Sequence, residues 1–221
     1  MDQLLKLFGK TYSEELGIDL KSSKSTELFK WFIASILFGA RISETIAKNT
    51  YRALEKYKLL TPRAIIKSGW KFLVTRVMAE GGYVRYDEKT STTLLEICEK
   101  LLNEYGGDLN RLHDMASDYE DLEQRLIAFK GIGPVTVNIF LRELRGIWKN
   151  ADPPFCDFVM LAARNLGIKN INKYWQKHKV RGYKLVNFEV ALLRLGKDYC
   201  HKNKCEICSL KVGCLKKHRI S

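Results

Sequence analysis

Four cysteines near the C-terminal end of the 221-residue chain could bind one metal centre. They are spaced C-x4-C-x2-C-x5-C and comprise Cys200, Cys205, Cys208 and Cys214. Cysteine thiolates are the ligands of iron-sulfur clusters and of many structural zinc sites. Zinc ribbons usually contain two C-x2-C pairs, whereas this run contains a single pair. The spacing therefore favours an iron-sulfur cluster, and zinc is the alternative.

A segment that reads FKGIGPVT lies between two stretches with helical apolar spacing. Gly131 and Gly133 permit positive φ and close approach of another backbone, while Ile132 can pack beneath the turn. The amides of the turn and of the next helix would then point outward, where they and the helix dipole favour a phosphate. We expect this hairpin, through Val135 and Thr136, to bind a polyanion. A plain connector is the alternative.

Positive charge is concentrated towards the C-terminus. The chain has 38 Lys and Arg against 25 Asp and Glu, a net charge of +13. From Lys169 to Ser221, fourteen cations face three acidic residues, a surplus of eleven. Cations that neutralise phosphates release condensed counterions, so this surplus favours nucleic acid as the partner. An anionic membrane surface and a merely solubilising face are the alternatives.

Five lysines interleave with the cysteines or follow them, so the cysteine loop is expected to present a basic surface. They are Lys202, Lys204, Lys211, Lys216 and Lys217.

Helices must position these residues, because apolar side chains recur at helical spacing along nearly the whole chain. Thr61-Pro62 predicts the start of one helix, and a long helix is expected from about Asp87 to Tyr105. The segment Ser117-Asp118-Tyr119-Glu120 predicts a capping box with Ser117 as the cap. No stretch alternates with period two for long enough to predict a sheet. The expected class is all-α.

The expected architecture is two helical domains with a cleft between them and the hairpin at their junction. Residues 22–134 would form one domain, and residues 1–21 with 135–221 would form the other. The N-terminus lacks a basic region followed by an apolar stretch, and no window approaches the roughly 18 apolar residues of a membrane span. We expect an intracellular, cytoplasmic, nucleoid-associated monomer.

The hairpin, an aspartate-containing loop and the cysteine run follow one another in the chain. They read LIAFKGIGPVTVNIFL, NADPPFCDFVMLAARNLGI and CHKNKCEICSLKVGC. This order resembles the helix-hairpin-helix DNA glycosylase superfamily, in the branch that includes endonuclease III, MutY and MIG. The resemblance implies base-excision repair: a damaged or mismatched base is flipped out of double-stranded DNA and its N-glycosidic bond is hydrolysed. It also implies a 4Fe-4S cluster, although the family spacing begins C-x6-C rather than C-x4-C.

The resemblance implies a catalytic aspartate in the loop after the hairpin, and Asp157 is the candidate. A carboxylate near the anomeric carbon stabilises the positive charge that develops on the sugar and can orient or deprotonate a water molecule. The segment between hairpin and aspartate is longer here than in the family. Asp152 is therefore the alternative.

Val135 determines which chemistry the resemblance implies. In bifunctional members of the family a lysine occupies this hairpin position and attacks the sugar, whereas valine has no nucleophile. We therefore expect a monofunctional glycosylase whose lyase activity is absent or weak. Weak lyase activity would need another amine, such as that of the neighbouring Lys130. The alternatives are a bifunctional glycosylase and abasic-site lyase that uses another amine, and a DNA-binding homologue without catalysis.

Two loops resemble family segments that approach the flipped base. In GGYVR, which begins at Gly81, Tyr83 or Arg85 is expected to fill the gap in the duplex by stacking. In FGARIS, which begins at Phe38, Ala40 or Arg41 takes the place of a family glutamine. Ordinary turn residues are the alternative for both loops. The sequence does not indicate the target base.

Overall fold

The computed structural model describes residues 1–210, 214 and 215. These residues form thirteen α-helices, one short 3-10 helix and two π-helical segments. The described part contains no strand, and its one β-bridge joins Arg145 to Trp148. The predicted all-α class is therefore confirmed. No helix in the described part has both the length and the apolar character needed to cross a membrane.

The chain divides into two compact units. The central unit is Leu16–Pro153, and the terminal unit joins Met1–Glu15 to Pro154–Ser221. These bounds differ from the predicted 22–134. The helix after the hairpin belongs to the central unit because its Phe140 ring lies 5.1 Å from the ring of Phe32.

The central unit is built from eight α-helices with a 3-10 helix and a π-helical segment between them. In chain order they are the 3-10 helix Leu20–Ser22, α3 Ser25–Gly39, α4 Glu44–Lys56, α5 Pro62–Phe72, the π-helical segment Leu73–Met78, α6 Ala79–Gly81, α7 Asp87–Tyr105, α8 Leu109–Asp114, α9 Tyr119–Ile127 and α10 Pro134–Leu144.

Helix α3 forms the centre of this unit. Its sequence is apolar on nearly every side, which is typical of a fully buried helix. Phe32 makes edge contacts with Phe129 and Phe140, whose ring centroids lie 5.7 Å and 5.1 Å away. The Trp31 indole N–H donates to the Phe140 carbonyl at 3.0 Å. Buried aromatic rings therefore hold the helices on either side of the hairpin turn against α3.

Helix ends follow local sequence signals closely. Thr61 caps α5 by accepting from the Ala64 amide at 3.2 Å, as predicted. Helix α7 has the predicted bounds. The predicted capping box is wrong by one residue: Asp118, not Ser117, caps α9 by accepting from the Asp121 amide at 2.9 Å. The Ser117 amide instead donates to the Asp121 carboxylate at 3.0 Å.

The terminal unit contains the remaining helices. They are α1 Asp2–Phe8, α2 Tyr12–Leu16 except for its last residue, α11 Asp157–Asn165, α12 Ile171–Lys177, α13 Leu185–Leu195 and the π-helical segment Gly196–Cys200. Helix α13 is almost entirely buried. Its Arg194 pairs with Glu15 at 2.8 Å and lies 4.3 Å over the Tyr12 ring, which attaches the N-terminal segment to α13.

Candidate functional site

The predicted hairpin is present, with α9 and α10 joined by a tight turn. Gly131 adopts a left-handed conformation with φ of 78°, which costs glycine little and other residues more. The Ile132 amide donates to the Phe129 carbonyl at 3.1 Å and closes the turn. Ile132 is buried beneath the turn. The turn is therefore held by one backbone hydrogen bond and one apolar anchor.

Several backbone amides at the start of α10 have no acceptor within the described residues. Gly133 is the N-cap and has no side chain to accept from them, and Pro134 carries no N–H. The first backbone hydrogen bond at the start of α10 runs from the Val137 amide to the Gly133 carbonyl at 3.1 Å. The amides of Gly133, Val135 and Thr136 thus remain as donors at the positive end of a helix dipole. This arrangement attracts an anion such as phosphate.

Position 135 is open to solvent. Val135 is 66% exposed on the first turn of α10 and provides an apolar side chain beside the free amides. The nearby Lys130 ammonium is paired with the Glu96 carboxylate at 2.6 Å. The amine that could replace a family lysine is therefore held by a carboxylate on α7.

Close backbone packing connects the hairpin to the segment that carries Arg41. A Cβ on Gly39 would collide with Thr136, so only glycine allows the end of α3 to approach α10 this closely. Arg41 follows two residues later and is exposed, with no side-chain partner in the described part of the chain. Gly81 packs against Thr50 of α4 in the same way. Both loops are thus fixed by glycines.

The structure separates the residues of the second loop into buried and exposed positions. Tyr83 is 3% exposed, and its hydroxyl shares a hydrogen bond with the Thr90 hydroxyl at 2.9 Å. Val84 is 79% exposed and Tyr86 is 50% exposed. Arg85 donates to the Tyr86 hydroxyl at 3.0 Å and lies 4.9 Å over its ring. In this conformation Tyr83 is unavailable for stacking. The exposed Val84 and Tyr86 were not among the predicted residues, and nothing in the local sequence distinguishes the buried tyrosine from the exposed one.

The two candidate aspartates have different surroundings. Asp157 begins α11, is exposed, and has no hydrogen-bond or ion-pair partner within the described residues. Asp152 is paired with the largely buried Arg145, which also donates to the Pro153 carbonyl at 2.6 Å. Asp152 therefore holds its own loop, whereas the Asp157 carboxylate is available to a ligand.

The other three C-terminal cysteines lie close enough to Cys200 to affect the pKa of its thiol. Burial raises the pKa of the Cys200 thiol, a hydrogen bond with Asn165 lowers it, and Cys214, Cys208 and Cys205 raise it further. Thiols in this number suit a thiolate-ligated centre. Among the described residues, however, no three metal-binding side chains are close enough to hold a single ion.

The predicted basic surface of the cysteine loop is only partly described. Lys202 lies 3.4 Å from Asp198, and Lys204 is exposed. The other three lysines lie outside the described residues: Lys211, Lys216 and Lys217.

Helices α11 and α13 bring the aspartate and the cysteines into one unit. A Cβ on Gly196 would collide with the Phe158 carbonyl, so glycine lets the start of the π-helical segment touch the first turn of α11. The rings of Phe158 and His201 then pack edge to face at 5.3 Å. Asp157 and Cys200 are therefore held on two helical segments that pack directly against each other.

No protein-family model matches this chain, and no curated protein matches its sequence. Its structure is similar to that of endonuclease III in a trapped covalent intermediate with DNA, the estranged-adenine complex. The TM-score is 0.53 and the sequence identity 18%, and the similarity covers 88% of this chain and 86% of the other. The chain therefore has the helical fold of endonuclease III.

Proposed function

We propose that this protein is a base-excision DNA glycosylase. The observation that carries the proposal is the hairpin, where three amides without acceptors lie at a helix N-terminus in a chain with the fold of endonuclease III. Such a site suits one phosphate of a DNA strand. The protein would act as a monomer on duplex DNA in the cytoplasm, at the nucleoid.

An enzyme that acts on a base inside a duplex must first rotate the nucleotide out of the stack. This costs a few kcal/mol, which contacts to the opened duplex must offset. The hairpin would bind the backbone, while Arg41 and Arg85 would contact the strand near the opened site. Because Tyr83 is buried, we assign the wedge beside the flipped base to the exposed Val84 and Tyr86.

Asp157 would act on the sugar. Breaking the C1′–N bond leaves its electron pair with the departing base and positive charge on the sugar. A carboxylate near C1′ stabilises that charge, orients a water molecule and accepts the proton that the water loses when its oxygen bonds to C1′. Asp157 has no partner within the described residues and Asp152 is in an ion pair, and both observations support this choice between the two aspartates.

The absence of a nucleophile at position 135 supports a water-mediated reaction. Val135 cannot form a Schiff base, and the Lys130 ammonium is paired with Glu96. We therefore propose a monofunctional enzyme that leaves an abasic site. The alternative is a bifunctional glycosylase and lyase, which would need Lys130 to leave Glu96 and attack the sugar.

We further propose that Cys200, Cys205, Cys208 and Cys214 hold a 4Fe-4S cluster, with zinc as the alternative. When bound, the cluster would cross-link the C-terminal segment, so that its binding free energy contributes to folding. The effect of the other three thiols on the pKa of Cys200 supports this donor set. Purified protein is expected to absorb near roughly 400 nm, and colourless protein that contains stoichiometric zinc would establish the alternative.

The proposed activity is tested with a panel of duplexes that carry mismatched or damaged bases. Wild-type protein is expected to release one class of base, and Asp157→Asn to reduce release by at least about 100-fold. Asp152→Asn is the matched control and is expected to keep most of the activity. Release unaffected by Asp157→Asn would remove the aspartate assignment. Binding to duplex without release of any base would favour the non-catalytic homologue.

Borohydride trapping on DNA with an abasic site tests the monofunctional proposal. Wild-type protein is expected to give no covalent adduct, because Val135 carries no amine and the Lys130 ammonium is paired with the Glu96 carboxylate. Val135→Lys is the positive control, since it places an amine where the resemblance implies one. A wild-type adduct that Lys130→Ala abolishes would instead establish the bifunctional alternative.

A further inference from the structure

A basic surface outside the hairpin lies on α12 and on the residues that flank it. Between Asp157 and Glu189 the sequence contains seven Lys and Arg and no Asp or Glu. Five of these cations, which we name the α12 basic surface, are Lys169, Lys173, Lys177, Lys179 and Arg181.

The side chains of the α12 basic surface are exposed and have no partner in the part of the chain that the structure describes. All five residues are exposed, and within the described residues none of their side chains makes an ion pair or hydrogen bond. Lys173 and Lys177 are four residues apart on one helix face, where like charges repel and destabilise the helix. Lysines elsewhere are placed differently: Lys6 and Lys100 each pair with a carboxylate one turn away. The α12 basic surface thus bears a repulsion that an anionic partner would relieve.

This surface is held in place from beneath. Ile171 and Trp175 are buried on the opposite face of α12, and Trp175 stacks on Phe188 of α13 at 5.6 Å. After the helix, His178 stacks on Tyr174 at 4.2 Å. The cations therefore project from an anchored backbone, which lowers the entropy cost of binding an extended partner.

We infer that the α12 basic surface contacts the phosphate backbone of duplex DNA, in addition to the contacts made by the hairpin. This inference rests on the proposed function. Residues four apart are separated by about 6 Å along a helix, and one DNA strand carries a phosphate every ~3.4 Å of its axis. Neighbouring lysines can therefore reach different phosphates. Contacts of this kind do not depend on base identity and are strongly salt-dependent.

The experiment measures the affinity for an undamaged duplex as a function of salt concentration, using the full chain. The variant combines Lys173→Gln, Lys177→Gln and Arg181→Gln. Each phosphate contact contributes about 0.9 to the slope of log K against log salt, so the slope is expected to become shallower by about 2.7. A variant with Lys173→Arg and Lys177→Arg keeps the charge and is expected to keep the wild-type slope.

The matched control combines Lys6→Gln, Arg52→Gln and Lys100→Gln, which removes the same net charge. Each of these cations is paired with a carboxylate. The slope of log K against log salt for this control is expected to change by less than about 0.9, which is the contribution of one phosphate contact. Equal slopes for the α12 variant and this control would overturn the inference. All variants should stay folded with melting temperatures near that of the wild type, because the changed side chains are exposed, except that of Lys100, which is half-buried.

Vesicles of equimolar phosphatidylserine and phosphatidylcholine test the competing partner. The inference is overturned if the α12 variant loses vesicle binding but keeps the wild-type slope on duplex DNA. The base-release panel separates this inference from the proposed function. If the wild-type protein releases a base and the α12 variant keeps the wild-type slope, only the α12 contact is refuted. If the α12 variant has a shallower slope but the wild-type protein releases no base, the DNA contact is supported and the glycosylase proposal is refuted.

Discussion

The two units of this protein differ sharply in charge. The central unit carries 21 Lys and Arg against 18 acidic residues, whereas the smaller terminal unit carries 17 against 7. The hairpin with its free amides belongs to the nearly balanced unit, and the α12 basic surface to the strongly basic one. Oriented amides act over a short distance and select a position, whereas clustered cations act over about a Debye length and are screened by salt. From this comparison we expect the hairpin amides to determine the position of the protein on DNA and the clustered cations to contribute affinity for DNA.

Cysteine reactivity gives the largest expected difference between the units. In the central unit, burial raises the pKa of the Cys98 thiol to about 12, with a smaller contribution from Glu99. At neutral pH its thiolate fraction is then roughly a thousandfold below that of an ordinary thiol. Iodoacetamide followed by peptide mass spectrometry is expected to leave Cys98 unmodified in the folded protein. Modification as fast as in the urea-unfolded chain would contradict this.

The same iodoacetamide measurement tests whether the four cysteines of the terminal unit bind a cluster. Its four clustered cysteines are expected to be protected while a cluster is bound and to react after the cluster has been removed by oxidation and chelation. Equal reactivity before and after that treatment would contradict ligation by these cysteines.

The core of the central unit provides the next largest effect. Phe140 is fully buried between Phe32 and Trp148, so Phe140→Ala is expected to lower the free energy of unfolding by about 3–5 kcal/mol. Urea denaturation measures this change. The control is Met160→Ala at an exposed apolar position of the terminal unit, for which a change within about 0.5 kcal/mol is expected. Similar losses for both variants would contradict the packing described for α10.

The hairpin turn gives a smaller change that separates backbone strain from side-chain contact. Gly131 and Gly146 both have positive φ, but only a Cβ on Gly131 would meet a neighbour, the Thr93 methyl at 2.9 Å. Gly146→Ala is expected to cost about 1 kcal/mol in stability, and Gly131→Ala somewhat more. Duplex affinity should fall only for Gly131→Ala. An equal loss of affinity for Gly146→Ala would show that the turn geometry does not govern binding.

A negative charge at position 135 is expected to give the smallest change in stability. It should raise stability and lower duplex affinity. A carboxylate on the first turn of α10 interacts favourably with the helix dipole, so Val135→Glu is expected to raise stability by about 0.3–1 kcal/mol. The same charge repels a phosphate at the free amides, and duplex affinity should fall at least about tenfold. Thermal melting and a binding titration measure the two effects. Val135→Gln is the uncharged control, and equal duplex affinity for both variants would contradict phosphate binding there.

The fold and the hairpin were predictable because their signals are local. Val137, Phe140, Leu141 and Leu144 recur at helical spacing, and all four are buried on α10. The bounds of α7 follow from its apolar pattern and from the glycine at its C-terminal end. The choice between Ser117 and Asp118 as a cap was missed because both can accept the hydrogen bond, and only the entry path of the chain selects one.

Contacts between residues of different segments decided the rest. Tyr83 is buried and its hydroxyl shares a hydrogen bond with that of Thr90, Lys130 is paired with Glu96 of another helix, and Asp152 is paired with Arg145. The sequence by itself determined the helices, the glycine turn and the uneven charge, since periodicity, φ preference and composition are properties of the chain. Which polar side chains remain available to a ligand was decided only by the tertiary structure, because each is free or occupied according to a neighbour that the chain places beside it only on folding.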